Sequence, residues 1–285
     1  MRKLLVALFA SLLLTACAPE IPAAPGTTTT VVTTPACTPR ATGGDDTANV
    51  TQIMNNCQFT QIIEPLRIDK QIVVTGSGKT VQFYGNGKLY RSVPAPDGSG
   101  LAMLRFTGSS NVTLNNPVIQ GPNARQQFSP PGSRPVCGYW TPLENQHLLA
   151  IRNVHNFTVN NGKLTDGNGD GVYIDGGSTG VTLNNLTVDC VGRTAVTNLG
   201  SSGTRINGGT FTTTVWWIFN IELQGETVSN YYIDKPTIGY SRLNFLLASC
   251  PYGGSYTGVV VNKPVFLEGA RQIYTSRCGD VTVNY

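Results

Sequence analysis

Charge is scarce in this chain. Only 13% of its 285 residues are Asp, Glu, Lys or Arg, and the formal net charge is +4. A nucleic-acid binder would carry a dense basic face, so no nucleic-acid partner is expected. Histidine occurs twice, at His147 and His155. No Cys-x-x-Cys pair or Cys/His cluster accompanies either one, which argues against zinc. No Gly-x-Ser-x-Gly elbow or nucleotide loop is found. One apolar run, Leu4 to Leu14, is too short to span a bilayer comfortably.

What the chain has is a repeated local sentence: apolar, any residue, apolar, then asparagine and a turn. It ends at Asn115, Asn160, Asn184, Asn207, Asp234, Asn262 and Asn284, in steps of 45, 24, 23, 27, 28 and 22 residues. A period in the twenties built on β-branched triplets marks a stacked solenoid. No helix-length segment separates the triplets, so each rung must turn by loops alone. The expected fold class is all-β, a right-handed parallel β-helix. Its stacked strands form a long wall on which an extended polymer can lie. The step of 45 reads as one rung with an insertion from Pro122 to about Gln146, because Pro130, Pro131 and Pro135 exclude a hidden central strand. Ile72 to Val74 and Val81 to Phe83 read as earlier rungs.

The repeated asparagines read as scaffold. Asparagine tolerates the left-handed backbone of a tight corner, and its amide can pair with the turns above and below. Near the start, Val50, Ile53, Met54 and Cys57 recur at helical spacing behind Asp46, a candidate cap. This short helix is expected to cover the open apolar end of the first rung.

Arg2 and Lys3 before Leu4 to Leu14 form a signal-peptide pattern. Leu14-Thr15-Ala16-Cys17 resembles the bacterial lipobox, which implies lipidation at Cys17. Residues 1–16 are then the signal peptide, 17–39 the lipidated cysteine with a Pro/Thr-rich tether, and 40–285 the β-helix domain. This places the protein at the cell envelope, extracytoplasmic, with the membrane as a partner through its lipid.

Six further cysteines suggest up to three disulfides outside the cytoplasm. Cys250 and Cys278 follow equivalent strands of the last two rungs, about 4.8 Å apart, a separation a disulfide accepts. By elimination Cys37 pairs with Cys57 and Cys137 with Cys190, the latter anchoring the insertion.

Aligning the rungs places Arg105, Arg152, Tyr173, Asp175, Asn220 and Glu222 on the outer side of one sheet, with Val172 and Ile174 inside. The corner leading into that sheet carries Asp166, Asn168 and Asp170 followed by Gly171. This spacing matches the first half of a calcium loop, with Asp189 or Glu222 as completing ligands. Calcium is the one cofactor suggested. Position twelve would be Gly177, which excludes an EF-hand. Trp140, Trp216 and Trp217 offer flat aromatic faces that can either stack on sugar rings or simply cover a turn.

The Asp-Asp-Thr opening at Asp45, the run Gly169-Asp170-Gly171-Val172-Tyr173-Ile174, Val191-Gly192-Arg193-Thr194-Ala195-Val196 and Phe219-Asn220-Ile221-Glu222 together resemble right-handed β-helix proteins of the pectate-lyase-like superfamily. The resemblance covers about residues 40–285 and implies a polysaccharide or cell-envelope glycan as partner. It makes Asp170, Tyr173, Arg193 and Glu222 the residues of interest, with Asp170, Arg193 and Glu222 as candidate catalytic residues. The outward face and the aromatic pair add Arg152, Asp175, Trp216 and Trp217 to Tyr173 as candidate substrate-binding residues. Two carboxylates can act as acid and base in glycoside hydrolysis, and an arginine can stabilise the charge of β-elimination. The adjacent Asp pair, Gly-His-Gly and Arg-x-Lys of polygalacturonases are missing, which disfavours that activity. Two expectations remain open: a surface-tethered lyase or hydrolase, and a non-catalytic glycan- or envelope-binding module, including a phage-encoded surface protein.

Overall fold

The computed structural model describes residues 37–95, 102–123, 125–126, 136–138 and 141–285. Cys17 with its leader, the tether as far as residue 36, and Trp140 lie outside them. The described chain is a parallel β-helix of three sheets. Each turn lays one strand in each sheet in sequence, and each strand pairs in parallel with its counterpart one turn later. The first sheet has nine strands, from Phe59–Ile62 to Val281–Asn284. The second has eight, from Pro65–Arg67 to Val265–Phe266, and the third eight, from Ile72–Val74 to Tyr274–Ser276. Ile72–Val74 and Thr80–Phe83 are therefore not rungs in one sheet. They lie in the third sheet and, one step later, in the first.

Alternation explains why these short strands hold. In His155–Asn160, Phe157 and Val159 point inward while Thr158 and Asn160 face out. Val172 and Ile174 do the same in Val172–Asp175. The inward residues of all three sheets form one continuous apolar core. Loss of any inward side chain is felt chiefly by the turns directly above and below.

The long step is a single turn. Leu104–Thr107 pairs directly with Leu149–Arg152, and Ile119 stands opposite Leu164. Between them the insertion forms a small antiparallel ribbon, Arg125–Gln126 with Val136–Cys137, and a 3-10 turn at Thr141–Leu143.

The asparagines stack as a ladder. Each amide Nδ2 donates to the Oδ1 one turn before: Asn160 to Asn115 at 2.9 Å, Asn184 to Asn160 at 2.9 Å and Asn207 to Asn184 at 2.8 Å. Asn262 donates likewise to Asp234 at 2.6 Å. The left-handed backbone, however, falls one residue later than expected. Asn116, Asn161, Asn185, Lys235 and Lys263 carry the positive φ, between 48° and 53°. The ladder residue itself ends the strand, and its neighbour turns the corner. Asn184→Ala removes both a donor and an acceptor from the middle of this half-buried ladder. It is expected to lower stability by about 1–3 kcal/mol in urea denaturation. A loss indistinguishable from zero would mean that the corners hold without it.

Helix α1 (Thr47–Asn56) covers the first turn, burying Val50 and Met54. Asp46 sits at the N-cap position but makes no side-chain cap bond. Its carboxylate instead accepts from the N–H of Thr42 at 2.7 Å and of Arg67 at 2.9 Å. The charge thereby ties the incoming arm to the second sheet, and Asp45 accepts the Thr47 N–H at 3.0 Å. At the other end the buried Lys79 ammonium donates to the carbonyls of Asn55 and Cys57, at 2.6 and 3.0 Å. A cation is favourable at this terminus. Asn55 also completes the edge of the third sheet, donating to Val73 O at 2.8 Å and accepting from Thr75 N–H at 2.9 Å.

All three expected disulfides are present, with Cα separations of 6.0 Å for Cys37–Cys57, 5.1 Å for Cys137–Cys190 and 6.1 Å for Cys250–Cys278. The second ties the insertion to the turn that comes after Asp170.

Candidate functional site

The outer side of the third sheet carries two rows of side chains. One runs Arg105, Ala150, Tyr173, Thr197, Asn220 and Leu247. The other includes Thr107, Arg152, Asp175 and Leu199, and continues with Glu222 opposite Ser249. The outward directions inferred from alternation hold. Thr197 and Asn220 are nonetheless fully buried.

Each turn enters this sheet through a corner from the second sheet. Asp166, Cys190 and Thr213 occupy the same place in three successive turns, each with a positive φ of 60°, 58° and 53°. This left-handed residue breaks the alternation, so the side chains on its two sides diverge. Asp166 turns to the second sheet's outer face, where Gln120 Nε2 donates to its Oδ2 at 3.1 Å. The Asn168 amide donates to Gln146 Oε1 at 3.1 Å. Asp189 accepts the Thr212 hydroxyl at 2.8 Å. The expected calcium set of Asp166, Asn168 and Asp170 is thus not brought together. Among the described residues no three His, Cys, Asp or Glu side chains cluster as metal ligands.

Asp170 is the centre of a different group. It is fully buried, and its Oδ1 accepts the Thr194 N–H at 3.0 Å, with Arg193 Nε at 3.7 Å. Its flanking glycines are dictated by close approach. A Cβ at Gly169 would lie 2.3 Å from the Glu144 carbonyl oxygen, and one at Gly171 would lie 2.7 Å from that of Ala195. The insertion therefore ends pressed against this corner and delivers His147. The Asp170 N–H donates to His147 Nδ1 at 3.1 Å, and Asp170 Oδ2 lies 3.3 Å from the same nitrogen.

Burial and these neighbours shift the titration of the group. Burial, reinforced by the Arg193 charge, pushes His147 down to about 3, so the ring is neutral. With Nδ1 accepting, its proton sits on Nε2, and His147–Asp170 is not an ion pair. Burial pushes Asp170 up to about 6 against the pull of Arg193. The His147 ring stacks on Tyr173, with centroids 4.2 Å apart. Burial and the neighbouring Asp175 and Asp170 push the Tyr173 phenol up to about 12.

Arg193 closes the group. Burial opposes its charge, but Asp170, Glu144 and Glu222 together outweigh this and raise its pKa. Its guanidinium lies 5.0 Å from the Trp216 ring, which meets Trp217 edge-on at 5.4 Å. Trp216 packs against the Cys137–Cys190 disulfide. Glu222 accepts from Asn220 Nδ2 at 3.2 Å and lies within electrostatic reach of Asp170, Tyr173 and Arg193. Arg152 and Asp175 pair one row aside, Nε to Oδ2, at 3.7 Å. Asp170 Oδ2, Arg193 Nε, Thr197 Oγ1 and Asn220 Oδ1 are buried polar atoms with no hydrogen-bond partner. Thr197 Oγ1 lies near enough to favour the charged form of Asp170, yet outside hydrogen-bond geometry.

The structure thus gathers Asp170, Tyr173, Arg193 and Glu222, with Trp216 beside Arg193, and leaves Asp166 on another face. Sequence reasoning missed His147 and Glu144. The available signal was position: His147 closes the long insertion two residues before the strand at Leu149.

No protein-family model and no curated protein matches this sequence. Among solved structures, the chain is similar in fold to full-length tailspike protein 2 of Escherichia coli O157:H7 bacteriophage CAB120. Identity is 15%, 84% of this chain and 40% of that one are covered, and the TM-score is 0.43. The endo-xylogalacturonan hydrolase of Aspergillus tubingensis is 14% identical over 87% of this chain and 92% of that one, with a TM-score of 0.40. The surface adhesin PfbA of Streptococcus pneumoniae is 9% identical over 84% and 90%, with a TM-score of 0.32. The chain spans less than half the length of the tailspike it matches.

Proposed function

We propose that this is a carbohydrate-directed protein of the cell envelope that binds a polysaccharide along the outer side of the third sheet and hydrolyses it. The convergence of Asp170, Tyr173, Arg193 and Glu222 on one face carries the reading, together with the four unpartnered buried polar atoms there. Asp170, holding its proton up to about pH 6, is the general acid toward the glycosidic oxygen. Glu222 is the second carboxylate, which takes a proton from the attacking water. Arg193 stabilises the Asp170 carboxylate left once its proton has passed to the glycosidic oxygen, and Tyr173 and Trp216 give the sugar rings apolar faces to rest on.

A second reading has its own support. Asp170 is completely buried, as a brace between successive turns would be, and a non-catalytic module needs only the exposed part of the face. A glycan-array screen followed by reducing-end and unsaturated-uronate assays on the hits separates the readings. New reducing ends alone mean hydrolysis, unsaturated ends mean β-elimination, and binding without either means a module.

The envelope location rests on the lipobox-like sequence ending at Cys17. In a bacterial host fed labelled palmitate, the wild-type chain is expected to take up label and sediment with membranes. Cys17→Ser should abolish the labelling, and undiminished labelling would refute lipidation at this site.

A further inference from the structure

The outer row of the third sheet steps down at one position. Between Arg105 and Tyr173 stands Ala150, and the missing bulk leaves a cavity of about 210 Å³. Its lining includes Arg105, Arg152, Tyr173 and Asp175, together with Gln71 and Asn145. Two guanidinium groups therefore face one carboxylate. Arg152 Nε lies 3.7 Å from Asp175 Oδ2, beyond a hydrogen bond, with its side chain 54% exposed. Arg105 acts on Asp175 through its charge, while its own Nε is buried with no hydrogen-bond partner. Asp175 Oδ1 is likewise buried and unpartnered. The cavity is an excess of cationic donors with one spare acceptor, at the scale of a single sugar ring.

We propose that this cavity is a subsite for a carboxylate-bearing sugar residue, with Arg105 and Arg152 holding the carboxylate and Asp175 accepting a ring hydroxyl. The inference rests on the carbohydrate reading of the same face and names its substrate class as an acidic polysaccharide. Arginine suits the role because its planar fork matches a carboxylate, and charge-assisted bonds of this kind are stronger than neutral ones. Gln71 and Asn145 offer amide donors and acceptors to the remaining hydroxyls.

The test is calorimetric titration of the full chain with tetragalacturonate and tetramannuronate, each beside its carboxyl-reduced counterpart. At least one uronate is expected to bind about tenfold or more tightly than its reduced form, with affinity falling as salt rises. Arg105→Met and Arg152→Met should each remove most of that preference, weakening the uronate far more than its reduced counterpart. Arg152 is exposed, so its variant remains informative if Arg105→Met fails to fold. Equal affinity for charged and reduced oligomers, an undiminished preference in Arg152→Met, or no binding of either uronate overturns the subsite. Cleavage of a neutral array glycan alongside any of these results would leave the proposed function standing.

Discussion

Asp170→Asn and Glu222→Gln are each expected to lower the rate of polysaccharide cleavage by at least about two orders of magnitude, the usual contribution of a positioned acid or base. Neither change should unfold the protein. Asparagine can still accept the Thr194 N–H through its side-chain oxygen, and Glu222 is only partly buried. The pH dependence is set by the upward shift of Asp170. An acid that must hold its proton loses activity as pH rises through about 6. The stability linkage has the same direction. With the folded-state value raised above 3.8, the contribution of this group is fully present below about pH 4 and is lost as pH climbs through about 6. Asp170→Asn has no proton to lose there, so its melting temperature should fall less than that of the wild type between pH 5 and about 7. A collapse of folding in step with activity would instead make Asp170 a brace.

The second large effect is structural. Phe157 is fully buried and meets Phe106 edge-on with ring centroids 5.1 Å apart, joining two successive turns. Phe157→Ala is expected to cost about 3–5 kcal/mol, combining lost transfer energy with the cavity left behind. A solenoid turn has only two neighbours to close that cavity. Val265→Ala, at a side chain 54% exposed, should cost no more than about 0.5 kcal/mol. Urea denaturation measures both, and similar costs would mean that the interior is not packed as described.

The solenoid was legible in the sequence because its register is written in side chains that pair with themselves. The recurrence at Asn160, Asn184 and Asn207 is the same fact as their amide bonds. The disulfides were legible from that register, since Cys250 and Cys278 stand in consecutive turns. Alternation likewise placed Tyr173 and Asp175 outward. It failed at Asp166, where one left-handed residue reverses the direction of the side chains after it and separates three groups whose spacing suits a cation. Left-handed backbone is hard to read here because Thr213 and Cys190 adopt it as Asp166 does. Alternation was also silent on Thr197 and Asn220, which point outward yet are buried. His147 was beyond reach for a different reason. Its contacts are set by the path of a long insertion, and no period runs through that segment.

The most direct measurement is a crystal structure of the Glu222→Gln variant with an oligosaccharide taken from the glycan screen. Sugar rings should lie along the outer side of the third sheet, crossing Tyr173, with a glycosidic oxygen within hydrogen-bond reach of Asp170 and a ring beside Trp216. Rings seated elsewhere, for instance against Tyr90 and Asp166 on the second sheet, with the Asp170 group untouched, would contradict it.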